Sequence, residues 1–373
     1  TLCSYLFLLA LVLCLGAAQV EGAHLIKPAG YDIPLNYTDW NAVYVDSSKG
    51  IFIAWNDSVC VIDPVSFDLL QCVDGFATPS GSYYHLYSDI AETTDYLFVL
   101  VTNGIGRVNR FNISDTAFYY NANFTTALNM VIDTSRNLGF VTCSSLSYVT
   151  VVDLIALSEV TTFDVFQGGD AFFPISAYSS NLKWAFGSAM DSSLDLLYVG
   201  ETCETTPPAF IWQYDVSNLN NIVLRDWTIH SSDACFEQGF VSLADHRAWF
   251  FEDDSGWTGG FSHHDLSWGS DYTLPSVNGP EAFVYVKRDN TAFWMDTSNS
   301  GVYTGQIYRH CLLESGPSAL HEVIPWVPYG LSLGIESGFF DTHSNTLYVV
   351  GSDGYILPFN VSGTDCLQTP PTD

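Results

Sequence analysis

One phrase recurs along this chain. An Asp-led bend opens it, an apolar and aromatic strand follows, and a second strand ends on Asp or Asn. The clearest copy is Val131-Ile-Asp-Thr-Ser-Arg-Asn-Leu-Gly-Phe-Val141, with Val149-Thr-Val-Val-Asp153 behind it. It returns from Asp191 to Val199 with Trp212-Gln-Tyr-Asp215, and from Asp341 to Val349 with Pro358-Phe-Asn360. Looser copies start at Asp46, Glu92, Asp245 and Lys287. The predicted strand-ending positions are Asp63, Asn112, Asp153, Asp215, Asp265, His310 and Asn360, about 50 residues apart on average. A period of roughly 40 to 50 residues with several short strands per unit is the sequence signature of propeller blades. The strands are rich in Val, Ile, Tyr, Phe and Trp, the breaks in Gly, Asn, Asp and Ser, and no stretch keeps a helical period.

The rhythm predicts an all-β fold: a single seven-bladed β-propeller of four-stranded antiparallel blades over residues 41–368. The expected blades are 41–74, 86–121, 127–166, 186–229, 238–276, 281–325 and 335–368. Residues 23–40 precede the ring. Within them His24 to Leu35 is a candidate extra strand for the last blade, which would protect an edge. Residues 369–373 form a polar tail. In blades four and seven the phrase reads Asp-x₅-Leu-Tyr-Val, and blade three keeps the spacing but ends Gly139-Phe140-Val141. On these residues the chain resembles the YVTN/lactonase-like group of seven-bladed propellers. The likeness covers most of the chain as rhythm and is weakest in blades five and six. It implies the fold and, as one of the group's activities, ester hydrolysis with a divalent metal in the central channel. No catalytic motif of that group accompanies it.

Residues 1–22 read as a secretory signal peptide: the apolar run Leu6 to Ala18 is followed by small residues suited to cleavage after Ala18 or Gly22. The run is too short for a comfortable membrane span, no later segment spans a membrane, and the tail has no hydrophobic anchor signal. Five sequons accord with a secreted, extracellular glycoprotein, at Asn36, Asn56, Asn112, Asn123 and Asn360. In an oxidising compartment most of the cysteines beyond the leader should pair. Blade geometry predicts Cys60 with Cys72 across one hairpin, Cys203 with Cys235 between adjoining blades, and Cys311 with Cys366. Cys143 is then left over, free or available for an intermolecular link.

Charge narrows the partners. Lys and Arg number 11 against 41 Asp and Glu, a net −30, which argues against nucleic acid and for cations or basic partners. The loops between second and third strands and those between blades share one face, and here they are the long ones. Long loops in a compact fold tend to carry function. That face collects Asp170, Glu201, Glu204, Asp233, Glu237, Glu252, Asp253 and Asp254 beside Phe172, Phe173 and Trp257. Carboxylate clusters suit hard cations such as Ca²⁺, and Glu252, Asp253 and Asp254 are the candidate metal ligands, although they lack EF-hand spacing. A solvated acidic surface is the plainer account of any single carboxylate at this net charge.

Other motifs fall short. His263-His264-Asp265 sends adjacent side chains to opposite faces of a strand, and His321-Glu322 lacks the second His of a zincin. Gly104-Ile-Gly106 lacks the rest of a dinucleotide fingerprint, and neither a nucleophile elbow nor a P-loop is present. The expectation is therefore an extracellular binding or scaffold protein whose long-loop face holds a protein, a glycan or a cation. The alternatives are a secreted metal-dependent lactonase-type hydrolase and a structural component of an extracellular coat or filament.

Overall fold

The computed structural model describes residues 40–46, 48–55, 58–66, 68–74, 85–87, 95–101, 104–121, 124, 127–143, 147–165, 185–201, 209–230, 236–242, 246–252, 257–261, 268–273, 280–286, 290–296, 306–313, 316–317, 322–325, 335–351 and 356–361. The proposed leader, the candidate strand at 24–35 and the tail lie outside them.

Seven antiparallel sheets follow one another along the described chain, and in each the strands pair in sequence order. They occupy residues 40–74, 85–120, 127–164, 185–230, 236–273, 280–325 and 335–360, close to the blade limits read from the repeat. The first five have four strands each. In the sixth, Gln306–Leu313 pairs with two short segments, Gly316–Pro317 and Glu322–Pro325, which share the fourth row. The seventh has three strands among the described residues: Ile335–Asp341, Thr346–Gly351 and Ile356–Asn360.

Burial explains the strand sequences. Leu138–Cys143 is buried at every position, because sheets press on both of its faces. A strand covered on both faces reads as a nearly continuous apolar run rather than an alternation. Ser158–Asp164, the last strand of the same sheet, is mostly exposed and mostly polar. First strands pack on first strands: Ile335–Asp341 lies against both Trp40–Asp46 and Pro280–Val286, and Ala185–Asp191 against Ala127–Asp133 and Phe236–Ser242. The first strand of each sheet is therefore the inner one and the last is the outer one.

The core is divided among the joints between sheets. Phe52 and Val59 meet Leu97 and Val108 between the first and second sheets. Leu100 and Ile105 meet Met130 and Val141 at the next joint, and Phe140 and Val151 meet Val199 and Trp212 at the third. Tyr198 and Ile211 pack with Phe236 and Phe250, Trp249 with Trp294, and Phe293 with Phe340. Val43, Val45 and Ile53 then meet Tyr348, Val350 and Ile356, joining the last sheet to the first. The sheets form a closed ring, and each buries both faces on its neighbours.

The repeat's strand-ending register needs three corrections. In the second sheet the turn-capping residue is Asn109, whose Oδ1 accepts the Phe111 and Asn112 amides at 2.9 and 3.3 Å, and Asn112 sits inside that turn. In the sixth sheet the strand continues past His310 to Leu313, and His310 is buried within it, opposite Ala292. In the fifth sheet the third strand, Trp257–Phe261, ends before Asp265, which lies outside the described residues with His263 and His264. Each slip has the same origin: a polar residue a few positions away mimics the turn signal.

Cys60 and Cys72 are joined by a disulfide and stand opposite each other on neighbouring strands. Cys311 is also disulfide-bonded; Cys366, Cys203 and Cys235 lie outside the described residues. Cys143 is a free thiol with 3% of its surface exposed. An intermolecular bond through Cys143 would require this strand to leave the core, so the native fold is a poor donor for such a link.

Candidate functional site

The ring has two rims of different character. On one lie the turns between first and second strands and those between third and fourth. In the described turns of the first, third, fourth and seventh sheets the Asp of the repeat holds the reversal. Asp133 Oδ1 accepts the Ser135 amide at 2.9 Å, the Ser135 hydroxyl at 2.7 Å and the Arg136 amide at 3.3 Å. Asp191 does the same for Ser193 and Leu194, at 3.0, 2.6 and 3.3 Å. Asp46 binds the Ser48 amide and hydroxyl, and Asp341 the His343 amide and Ser344 hydroxyl. A short carboxylate that caps its own turn lets the chain reverse with its polar groups paired.

Four residues after the Asp, the backbone turns left-handed: Asn137, Asp195 and Asn345 have φ of 55, 54 and 54°. Asn and Asp tolerate that conformation better than other side chains, which is why the repeat places them there. The carbonyls of these residues then accept the amides of Leu154, Val216 and Val361, at 3.0, 2.9 and 2.9 Å. Those three side chains are buried, so the bond ties the first turn to the second and pins both to the core.

Carboxylates on this rim also hold neighbouring sheets together. Arg110 of the second sheet donates to the Tyr44 hydroxyl at 2.7 Å and lies 3.5 Å from Asp46 in the first. Arg136 of the third sheet pairs with Asp133 in its own turn, meets Asp195 of the fourth at 3.1 Å and donates to the Val216 carbonyl at 2.7 Å. His246 Nδ1 of the fifth stands 2.8 Å from the buried Asp191 carboxylate of the fourth. Burial alone would raise the Asp191 pKa, yet the Ser193 and His246 hydrogen bonds and the His246 charge outweigh it and hold the carboxyl below its usual value. Asp63 and Asp215 are held low as well, the first by the Ser66 and Val65 amides and the second by the Ser217 hydroxyl and amide. These carboxylates are thus engaged in building the ring.

The opposite rim carries the connections between sheets, the longest of them residues 165–184. The loops between second and third strands of the first two sheets are only two residues each, shorter than expected. Glu201 closes Leu196–Glu201, Glu252 closes Arg247–Glu252, Glu237 is the second residue of Phe236–Ser242, and Trp257 opens Trp257–Phe261. Register places Phe236 opposite Glu252 and Ala185 opposite Glu201. The backbone therefore brings Glu201, Glu237, Glu252 and Trp257 to one rim of the fourth and fifth sheets. Asp170, Phe172, Phe173, Glu204, Asp233, Asp253 and Asp254 lie outside the described residues, as do Asn36, Asn56 and Asn123. Among the described residues no group of three or more His, Cys, Asp or Glu is placed to hold a metal ion. Nothing in the repeat foretells Arg110, Arg136 or His246 as joints between sheets. Their partners are about 50 to 80 residues away in the chain, and periodicity carries no signal for such pairs.

A ring of small antiparallel sheets, each starting at the centre and ending at the outside, defines a β-propeller-like protein. Among solved structures the chain is similar to Raptor from Chaetomium thermophilum, with 9% identity and a TM-score of 0.66 over 88% of this chain and 28% of that one. It is similar also to a chain of the mitotic checkpoint complex, with 10% identity and a TM-score of 0.63 over 91% of this chain and 95% of that one. This chain thus spans less than a third of the Raptor chain. At such identities the likeness is one of fold alone, and it supports a propeller-like fold without singling out the lactonase-like group. No protein-family model and no curated protein sequence matches the chain.

Proposed function

We propose that this chain is a secreted, glycosylated, seven-bladed β-propeller of four-stranded blades. It acts as an extracellular binding or scaffold protein through its long-loop rim. The observation that carries the reading is the contrast between the two rims. On one, the described turns led by Asp133 and Asp191 have their carboxylates engaged by their own backbone and by adjacent sheets. The other receives the connections between sheets, with Glu201, Glu237, Glu252 and Trp257 at the strand ends on that rim. Paired groups have little left to offer a ligand, so recognition falls to the long-loop rim.

Calcium is the ligand to test first, with Glu252, Asp253 and Asp254 as its candidate ligands. Purified secreted protein is expected to contain stoichiometric calcium and to melt at a lower temperature after chelation. Converting Glu252, Asp253 and Asp254 to their amides should abolish both effects. Protein without bound calcium whose melting is indifferent to chelator would remove the cation from the proposal. An amide variant that retains every binding activity of the parent would count against the rim itself.

A further inference from the structure

The turn 109–115 of the second sheet sets an aromatic ring beside a sequon. Phe111 is 60% exposed, the most open of the Phe side chains among the described residues. Lys49, from the first turn of the first sheet, places its ammonium 4.2 Å from the ring centroid and covers part of the Phe111 surface. The next residue, Asn112, is exposed and opens Asn112-Ile113-Ser114. The turn is rigid. Asn109 Oδ1 holds the amides of Phe111 and Asn112, and the Asn112 carbonyl accepts the Asp115 amide at 2.8 Å. Ile113 is buried at the joint with the first sheet, and the Ser114 hydroxyl accepts Gln71 Nε2 at 2.9 Å. The three sequon residues thus divide their roles, as Asn112 faces out, Ile113 anchors the turn and Ser114 bridges two sheets.

We propose that Phe111 is a docking platform for the innermost sugar of an N-linked glycan on Asn112. An N-acetylglucosamine carries an apolar C–H face, and an aromatic face, negative at its centre, attracts such hydrogens. The sugar is neutral, so it adds no charge to a rim already dense in carboxylates. Covering the ring removes apolar surface from water, and a turn fixed at both ends leaves little entropy to lose on docking. The second described sequon supplies the contrast. Asn360 is also exposed, but its neighbour Phe359 is buried at 2%, so the ring that precedes it in the chain is not open to a glycan there.

This inference rests on the secretory reading proposed above, and its test separates the two. Protein secreted from a eukaryotic host is mapped by glycopeptide mass spectrometry, then melted as four forms: parent, Asn112→Gln, Phe111→Ala and the double variant. Occupancy at Asn112 is expected. Loss of the glycan should lower Tm by about 2 °C when Phe111 is present, and by much less in the Phe111→Ala background. Native-state endoglycosidase should trim Asn360 faster than Asn112, and Phe111→Ala should erase that difference. An unoccupied Asn112 would overturn both the platform and the glycoprotein assignment at that site. An occupied Asn112 whose glycan has the same effect with and without Phe111 would overturn the platform and leave glycosylation standing.

Discussion

The side chains of most consequence in this ring are short carboxylates. Asp191 is fully buried, accepts from Ser193 and Leu194, and bridges to His246 of the next sheet. Replacing it with Ala would remove the hydrogen bonds that close this turn and the tie to His246, at a cost of about 2 kcal/mol, measurable as a lower urea midpoint. The same group gives acid sensitivity a sign. Its folded-state pKa lies below the ordinary Asp value of 3.8, so its contribution is fully present above the unfolded-state pKa of about 4 and fades as pH falls through the folded value. The parent should therefore lose stability below about pH 4 more steeply than Asp191→Asn, as followed by circular dichroism. Cys143 presents the opposite case: burial pushes its thiol up to about 12. It should resist alkylation by iodoacetamide at about pH 8 in the native protein and react promptly once urea unfolds it.

At the scale of elements, the hairpin is the stable unit and its turns set the register. The Cys60–Cys72 bond closes a separation of 12 residues across the outer hairpin of the first sheet. Replacing both cysteines with Ala should cost about 3 kcal/mol by the chain-entropy argument, seen as a lower melting temperature. Left-handed turn positions offer a second test. Asn137 holds φ of 55°, and a β-branched residue there should cost about 1–2 kcal/mol, whereas Gly should be nearly neutral. Gly50 marks where the first sheet departs from the Asp-to-Asn turn. At φ of 145° a Cβ would come within 2.6 Å of Val61 and 3.0 Å of the Ile62 carbonyl, so the close packing of the hairpin leaves no room for a side chain.

For the whole molecule, closure governs stability. Each sheet is too small to hide both faces alone, and the ring lets neighbours cover them, the last joint being that between the seventh and first sheets. Ile356→Ala at this joint should cost about 2–4 kcal/mol, comparable to a deletion at any other joint. Chemical unfolding should remain a single transition, because no sheet has a private core.

Much of this was legible in the sequence. The spacing of Asp133, Asp191 and Asp341, each followed four residues later by Asn or Asp, encodes a turn whose hydrogen bonds are local, and local bonds follow from sequence order alone. The apolar runs between those turns determine strands buried on both faces, and their regular recurrence determines a repeat fold. The false stops at Asn112 and His310 show the limit of that reading, since a polar residue near a turn looks like the turn until the pairing is known. What only the tertiary structure decided was which distant groups meet. Arg110 reaches Asp46, Arg136 reaches Asp195, and His246 reaches Asp191. It also decided that Asn112 stands exposed beside an exposed ring while Asn360 follows a buried one. Those outcomes depend on how one sheet is set against the next, and the periodicity of a single chain is silent on contacts between repeats.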